Sequence, residues 1–304
     1  HYKNYHSQPA IVQLTSMYIA QHEMANLADK SSKSLPYSTY SLSSNLARQV
    51  GGWDPDWISE DWHMFLKCFL QTGGEVQVEG IFLPVVNYTP EDRTYYRSIV
   101  ARWEQSKRHA LGMSEMVYSL MSLPDAYWAL AGDCSRVLRF VRHSSHVMYK
   151  ILVTHVEMGT YWILGSCQGP IVGYVYLHPE EWEGSVLGES GTWWWIMINV
   201  KFAAVSTLVW LFFNILNVSL YQGIKHRAVP FPEGSKWKWF YDNSLPHYFL
   251  VLLNSTTLSS VLGVAGGYTA WRAAYKCAKS HKFEYVVAQK PKAAKTKLAN
   301  NTLF

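Results

Sequence analysis

The sequence predicts an α/β domain over residues 1–110, followed by an α-helical membrane region. Segments with alternating or β-branched side chains, separated by stretches of helical spacing, indicate the α/β part. Long apolar runs after residue 144 indicate the membrane part. The 14 Trp and 20 Tyr residues support it, because these side chains favour the boundary between membrane and water. With 304 residues, the chain is long enough for about two domains.

Charge and cysteine content argue against two other classes of protein. The net charge is +5, and the basic residues concentrate towards the C-terminus instead of forming a patch interleaved with aromatic residues. A nucleic-acid partner is therefore not expected. The 4 cysteines lack the spacing of metal ligands, so we expect unpaired thiols, as in a reducing compartment.

The first 50 residues are predicted to contain a strand, a helix and a hydroxyl-rich segment. Residues 10–14 are mostly apolar and suit a strand, whereas residues 16–29 have helical spacing. Residues 36–43 combine hydroxyls with β-forming side chains, and Ser44 is placed to cap a short helix that ends at Val50. These hydroxyls either contact a sugar or only satisfy the local backbone.

Two glycines and two tryptophans follow, and all four are candidate substrate-binding residues. Gly51 and Gly52 predict a turn with positive φ or a close approach of the backbone, which only glycine permits without strain. Trp53 and Trp57 either stack on a sugar ring or fill a hydrophobic core. The sequence leaves both interpretations open.

A pair of carboxylates, Glu60 and Asp61, stands at the start of a helix predicted over residues 62–70. Acidic side chains are common there, because the helix dipole and the free amides of the first turn favour them. An inverting sugar transfer also needs a carboxylate, which takes the proton of the acceptor hydroxyl as its oxygen attacks the anomeric carbon. Asp61 is our candidate for that base, with Glu60 beside it.

The segment after this helix is predicted to be a strand over residues 75–86, followed by a basic helix that starts at Thr89 and Pro90. Arg102 on this helix can bind a leaving diphosphate, because a guanidinium offers a planar fork to phosphate oxygens. Trp103 can form an apolar platform for the acceptor sugar. Basic residues on a helix are more often a solvated or lipid-facing surface. We expect Arg102 and Asp61 to meet at one cavity.

These motifs resemble the second half of the catalytic domain of family-2 glycosyltransferases, which have the GT-A fold and include cellulose, chitin and hyaluronan synthases and ceramide glucosyltransferase. Ser59-Glu60-Asp61 is similar to the Thr-Glu-Asp-like motif that supplies the base in this family. Residues 102–109, Arg-Trp-Glu-Gln-Ser-Lys-Arg-His, resemble the end of the Gln-x-x-Arg-Trp-like motif and its continuation. The resemblance therefore implies substrate contacts for Gln105 and Arg108 as well. Ile99 stands where the family usually has Gln, a departure from the processive synthases.

The resemblance implies a nucleotide sugar as donor, a lipid or glycan as acceptor, and Mg²⁺ or Mn²⁺ as cofactor. In the family, an upstream Asp-x-Asp pair holds the metal. Asp54-Pro55-Asp56 stands in the wrong place for this role, so we predict no metal ligand in the sequence. The donor-binding half is expected either before His1 or to be missing. In the second case the chain is a truncated, non-catalytic membrane subunit with protein partners in a larger complex.

The rest of the chain is predicted to associate with membrane lipid. Residues 111–143 suit amphipathic helices whose basic residues lie along a membrane surface. Within residues 144–275, three apolar segments are candidates for membrane helices. Their ranges are 147–164, 193–221 and 248–274.

Charged residues in and around these segments suggest an orientation. Lys150 and Glu157 share a helix face, and they either pair, line an acceptor path, or belong to a partly embedded hairpin. The loop at residues 178–191 is acidic, whereas residues 222–245 and the Lys-rich tail at residues 276–304 are basic. Basic loops favour the cytosol. The sequence therefore predicts a multi-pass membrane protein with its catalytic part and its tail on the cytosolic side.

Overall fold

The computed structural model describes residues 3–83, 85–157, 173–174, 177–178, 180, 192–229, 231 and 233–279. This part of the chain is helical and contains no β-strand. Two π-helical segments, Val153–Glu157 and Gly263–Tyr268, interrupt the α-helices. The α-helices are α1 (Ala10–Leu27), α2 (Ser44–Gln49), α3 (Glu60–Gln71), α4 (Tyr95–Ala110), α5 (Met113–Ala129), α6 (Cys134–Leu152), α7 (Thr192–Ala228), α8 (Trp237–Asp242), α9 (Ser244–Leu262) and α10 (Thr269–Lys279).

The predicted α/β fold, the C-terminal half of a GT-A domain, is wrong for the described residues. Residues 10–14, predicted as a strand, form the start of α1, which begins directly after Pro9. A short apolar run has the same pattern in a buried helix and in a buried strand, and no turn residue separates this run from the helical spacing that follows.

The second predicted strand, residues 75–86, has no regular secondary structure over its described residues. Its backbone bonds to other segments are isolated. For example, the amide of Val78 donates to the carbonyl of Ser32 at 2.8 Å. A stable sheet needs a ladder of such bonds between neighbouring strands. The strand predicted from the alternating pattern is therefore wrong for the described residues.

Helix α3 is the centre of the largest hydrophobic cluster. Its residues 62–70 are all buried. Phe65 and Phe69 pack with Phe140 and Ile151 of α6. Because α3 is covered on every side, its polar residues must find partners inside the protein.

Helices α2 and α3 end in the same way, at a pair of glycines. Gly51-Gly52 and Gly73-Gly74 all have positive φ, between +63° and +80°. The second glycine of each pair donates its N–H to the carbonyl of Ala47 (2.8 Å) or Phe69 (2.7 Å) of the preceding helix. This is a Schellman motif, which satisfies carbonyls that the helix end leaves free. It explains the positive φ predicted at Gly51 and Gly52, whereas their contact with a substrate stays a prediction.

The C-terminal helices pack back onto the N-terminal ones. Val218 of α7 and Val251 of α9 are buried together with Leu14 of α1. Ala273 of α10 is buried against Met113 at the start of α5. The two ends of the described chain therefore share hydrophobic clusters.

One helix in the described part of the chain is long and apolar enough to cross a membrane. It is the segment Ala204–Ala228 of α7, with a mean hydropathy of 1.6. Length and composition are the grounds for this assignment, and only 18% of its apolar window is buried within the protein. The predicted multi-pass arrangement is therefore not supported beyond one candidate span.

The other two predicted membrane segments have different surroundings. Val147 and Ile151 lie in the core beside α3, and the side chain of Lys150 bonds Asp29. These contacts contradict a membrane position for the start of segment 147–164. Segment 248–274 contains α9, a π-helical stretch and part of α10. Three parts of the predicted membrane region lie outside the described residues. They are residues 158–164 of the first segment, most of the acidic loop at residues 178–191, and residues 280–304 of the tail.

Candidate functional site

A cavity of about 390 Å³ lies at the N-terminal end of α3. Its wall is formed by α1, the segments before α3, the end of α4, the first π-helical segment, and the second π-helical segment with the start of α10. This volume is in the range of small-molecule sites. The ionisable side chains in the wall are Tyr18, His22, Glu23, Tyr37, Glu60, Asp61, Arg108, His109 and His155.

Asp61 is a carboxylate of this cavity wall whose pKa is displaced to near neutrality. Burial raises the pKa of Asp61 to about 6; the backbone N–H of Trp62 opposes this shift, and the negative charge of Glu60 adds to it. The amide of Trp62 donates to Asp61 Oδ1 at 2.9 Å. In the described part of the chain, no cation forms a salt bridge with Asp61. A carboxylate with a pKa near neutrality is well suited to accept a proton from a substrate.

Glu60 has a different position, on the exposed side of the same helical turn. Its Oε2 accepts a hydrogen bond from the hydroxyl of Tyr40 at 3.2 Å. The same hydroxyl accepts the indole N–H of Trp53 at 2.6 Å. Trp53 is therefore linked to the cavity wall through two hydrogen bonds, although half of its surface remains exposed.

A second cluster of charges lies around His63, on another face of α3. His63 places Nε2 2.8 Å from Asp54 Oδ2 and Nδ1 3.0 Å from Glu115 Oε2. Lys67 Nζ lies 2.9 Å from the same Asp54 oxygen. Trp57 stacks on the imidazole with ring centroids 4.1 Å apart. We will call Asp54, His63, Lys67 and Glu115 the histidine cluster.

The imidazole of His63 lies between the two carboxylates of the histidine cluster. Both of its ring nitrogens face carboxylate oxygens. Burial raises the pKa of Glu115, although His63 opposes this shift. Burial also raises the pKa of Asp54, but the bonds from Lys67 and His63 outweigh it, so that the pKa is lowered.

Arg102 lies behind the cavity wall, with 3% of its surface exposed. Its Nε donates to Thr15 Oγ1 at 3.0 Å, and its Nη1 donates to Gln105 Oε1. Thr15 itself lines the cavity, and Arg102 is not among the lining residues. Trp103 stacks on Tyr268 with ring centroids 5.6 Å apart.

The structure thus brings together some of the predicted site residues and separates others. Glu60, Asp61 and Arg108 line one cavity, and Arg102 and Gln105 form a bonded pair behind its wall. The remaining candidates lie outside the cavity lining. They are Gly51, Gly52, Trp53, Trp57 and Trp103.

Several cavity residues carry no signal in the sequence pattern. Trp62 is the tryptophan in the wall, and it could have been found only from its position directly after Asp61. His22 and Thr154 meet in the wall, with Nε2 and Oγ1 3.1 Å apart, although they lie far apart in the sequence. His155 follows Thr154 and also lines the cavity. No local motif predicts these contacts, because tertiary packing creates them.

The described residues do not fit the metal ion that the family resemblance implies. They contain no group of three or more His, Cys, Asp or Glu side chains arranged to hold a metal. Asp54, the first aspartate of the Asp54-Pro55-Asp56 sequence, is bonded to His63 and Lys67 instead. Mg²⁺ or Mn²⁺ therefore has no ligand set in this part of the chain.

Comparison with known proteins gives one finding. A family model described as glycosyl transferase family group 2 matches residues 11–221, which is more than half of the chain. The matched range contains the whole base motif and every predicted site residue. It does not distinguish polymer synthases from other members of the group. Neither the curated proteins nor the solved structures that were compared include a match.

Proposed function

Because the chain belongs to glycosyl transferase family group 2, we propose that it transfers a hexose from a nucleotide sugar to a hydroxyl of a lipid or glycan acceptor, with inversion. Glycosyl transfer is the activity of the family. The observation that carries the finer proposal is the position of Asp61, a carboxylate with a pKa of about 6 in the wall of a ligand-sized cavity.

The proposed reaction is a single displacement. The acceptor oxygen attacks the anomeric carbon from the side opposite to the leaving group, so the configuration at that carbon inverts. Asp61 takes the proton of the acceptor hydroxyl as the new C–O bond forms. The bond from the anomeric carbon to the nucleoside diphosphate breaks, and the diphosphate leaves with the electron pair.

We assign the positive charge near the leaving group to two arginines. Arg108 lines the cavity and is our candidate for direct contact with the diphosphate. Arg102 acts from behind the wall, where it holds Thr15 and Gln105 in place. Trp62, in the wall, supplies the apolar platform that the sequence pattern assigned to Trp53 and Trp103.

We place the reaction at the cytosolic face of a membrane. The candidate span Ala204–Ala228 has large exposed apolar side chains, among them Phe212 and Phe213. Helices α5 and α6 also expose Trp128 and Leu138, each more than 70% accessible. Exposed apolar side chains of this size, next to the basic residues of α6, favour contact with a membrane surface.

The test is the Asp61→Asn variant of the full-length protein, assayed with UDP- and GDP-hexoses. The variant has almost the same shape but cannot accept the proton. We expect incorporation of the sugar to fall by about 10² to 10⁴, the usual contribution of a general base. Asp56→Asn is the matched control, because Asp56 is exposed and lies outside the cavity lining.

Unchanged incorporation in the Asp61→Asn variant would remove Asp61 as the base. If the wild-type protein neither hydrolyses nor transfers any of these hexoses, the proposed enzyme activity is wrong and the non-catalytic subunit becomes the better interpretation.

A further inference from the structure

One end of the cavity is formed by a histidine that the reaction as proposed does not use. His155 belongs to the π-helical segment Val153–Glu157, and 7% of its surface is exposed. Its ring packs edge-on against Trp62, with centroids 5.2 Å apart and an angle of 66°. The position of the imidazole is therefore fixed by the residue that follows the proposed base.

His155 lines the cavity, and its Nε2 atom is buried beside Gly112 without a hydrogen-bond partner among the described residues. Buried polar atoms in proteins are nearly always paired, because an unpaired one destabilises the fold. An unpaired nitrogen on a residue that lines a cavity is suited to a ligand that brings its own hydrogen-bonding group.

The residue opposite His155 leaves room for this imidazole. A Cβ atom at Gly112 would lie 2.9 Å from Nε2 and 3.0 Å from Cε1 of His155. The φ angle of Gly112 is −56°, which any residue adopts without strain. The backbone therefore does not require glycine at position 112, whereas the approach of the imidazole does.

The wall contributed by the C-terminal helices consists of small residues. Ala265, Gly266 and Ala270 line the cavity. A Cβ atom at Gly266 would have no protein atom within 4 Å, so a side chain placed there would extend into open space. Because these residues are small, they leave space on this side of the cavity.

We propose that His155 binds the acceptor, and that its Nε2 forms a hydrogen bond with a sugar hydroxyl in the space between Trp62 and the small residues at 265–270. This inference rests on the proposed function, because it assigns one end of the same cavity to the acceptor. It makes His155 a specificity-determining residue, while Asp61 remains the base.

The charge state of His155 narrows the ligand to an uncharged group. Burial, and then the nearby His22, lowers the pKa of His155 to about 4, so the imidazole is neutral at pH 7. A neutral imidazole has one donor and one acceptor nitrogen, which suits a hydroxyl and gives no preference for phosphate or carboxylate. The hydroxyl belongs either to a free sugar or to the headgroup of a glycolipid.

The experiment measures the acceptor KM of the full-length protein, with whichever UDP- or GDP-hexose the wild-type protein uses. Free glucose and octyl β-D-glucoside are the acceptor probes. Hydrolysis of the donor by water, measured without acceptor, tests the proposed function separately. A wild-type protein with hydrolysis but no saturable transfer to either probe would overturn the acceptor site alone.

Two substitutions at position 155 separate hydrogen bonding from packing. We expect His155→Leu, which keeps an apolar side chain there, to raise the acceptor KM about tenfold, the usual effect of losing one hydrogen bond. His155→Gln returns a polar group and should recover part of that loss. Equal KM values for the two variants, or a wild-type KM for His155→Leu, would overturn the proposal.

Three glycine variants test the geometry without changing a polar group. Gly112→Ala should raise the acceptor KM by displacing the imidazole, and Gly266→Leu should raise it by filling the acceptor space. Gly132→Ala is the control, because a Cβ at Gly132 meets no atom within 4 Å and Gly132 lies outside the cavity lining. A wild-type KM in both Gly112→Ala and Gly266→Leu contradicts the inference.

The two probes also identify the source of the hydroxyl. A lower KM for octyl β-D-glucoside than for glucose supports a glycolipid acceptor, because the alkyl chain then contributes to binding. Equal KM values that both rise in His155→Leu support a free glycan.

Discussion

Asp54 and Asp61 lie on the two sides of the loop that leads into α3, and their pKa values are shifted in opposite directions. Asp54 is bonded to His63 and Lys67, and its pKa is lowered. Asp61 has no cation partner in the described part of the chain, and burial raises its pKa to about 6. The first carboxylate is compensated by neighbouring positive charge, and the second is not.

This difference separates a carboxylate that holds structure from one that, in the reaction we propose, takes up a proton. A compensated carboxylate keeps its negative charge and holds its neighbours in place, here the Gly52–Trp57 loop against α3. An uncompensated carboxylate in a partly buried position destabilises the fold, and it is retained where its proton affinity serves a reaction. Sequence spacing alone does not distinguish the two residues, since both stand close to the start of the same helix.

The largest effect is expected from breaking the histidine cluster. His63→Ala leaves Glu115, which has no exposed surface, without its partner. We expect the free energy of unfolding to fall by about 3 to 5 kcal/mol, the usual result of removing one member of a buried charged pair. Denaturant unfolding of the purified protein measures it. The double variant His63→Ala/Glu115→Gln should recover part of the loss, and no recovery would contradict the pairing.

The pH dependence of transfer is the next largest effect. Asp61 must be deprotonated to act as a base, so the rate should fall roughly tenfold per pH unit below about 6. Asp54→Asn should keep this acid limb near pH 6, because Asp54 does not contribute to the shift of the Asp61 pKa. An acid limb near the ordinary aspartate value of 3.8 would remove the difference between the two carboxylates.

The two aspartates should also change stability in opposite directions. The pKa of Asp61 is higher in the folded protein than in the unfolded chain, so stability is lost as the pH rises from 3.8 to about 6, and the full loss remains above pH 6. Asp61→Asn should therefore stabilise the protein at pH 7.5 by about 1 to 2 kcal/mol. The pKa of Asp54 is lowered, so its charge stabilises the fold above its unfolded pKa. Asp54→Asn should therefore lower the unfolding temperature. The same sign for both variants would contradict the comparison.

The smallest effect is expected for an ion pair at the surface. Arg139 Nη2 lies 3.6 Å from Glu75 Oε1, and both side chains are more than half exposed. We expect Arg139→Ala to change the free energy of unfolding by less than about 0.5 kcal/mol, because water screens exposed pairs. A fall in the free energy of unfolding as large as that of His63→Ala would show that burial does not explain the large contribution of the histidine cluster to stability.

Local features of the fold could be predicted from the sequence. The short helix near Ser44 and the helix with an acidic first turn are both present, at Ser44–Gln49 and Glu60–Gln71. The basic helix is present too, although it begins after Thr94, whose side chain accepts from the amide of Arg97, and not at Thr89. These elements are set by caps and by spacing within a few residues, so a single sequence is sufficient to find them.

The fold class could not be predicted, because strand pairing depends on distant segments. Residues 75–83 have the alternation of a strand, yet their neighbours in space include Ser32 and Lys33, which offer single hydrogen bonds. The site shows the same limit. The Ser59-Glu60-Asp61 motif is local and can be picked out in the sequence, whereas His155 and Gly266 reach the cavity only through tertiary packing.

The cavity wall extends from Thr15, near the beginning of the sequence, to Ala270, near its end. Synthesis on the ribosome proceeds from the N-terminus at about 5 to 20 residues per second, so α3 and its carboxylates are complete long before the last wall is made. Until that wall arrives, Asp61 faces solvent on one side and lacks the burial that raises its affinity for a proton. The wall around Asp61 is therefore complete only after the segment at Ala265–Ala270 has been made, and a chain that stops before this segment has the Ser59-Glu60-Asp61 motif without the closed cavity.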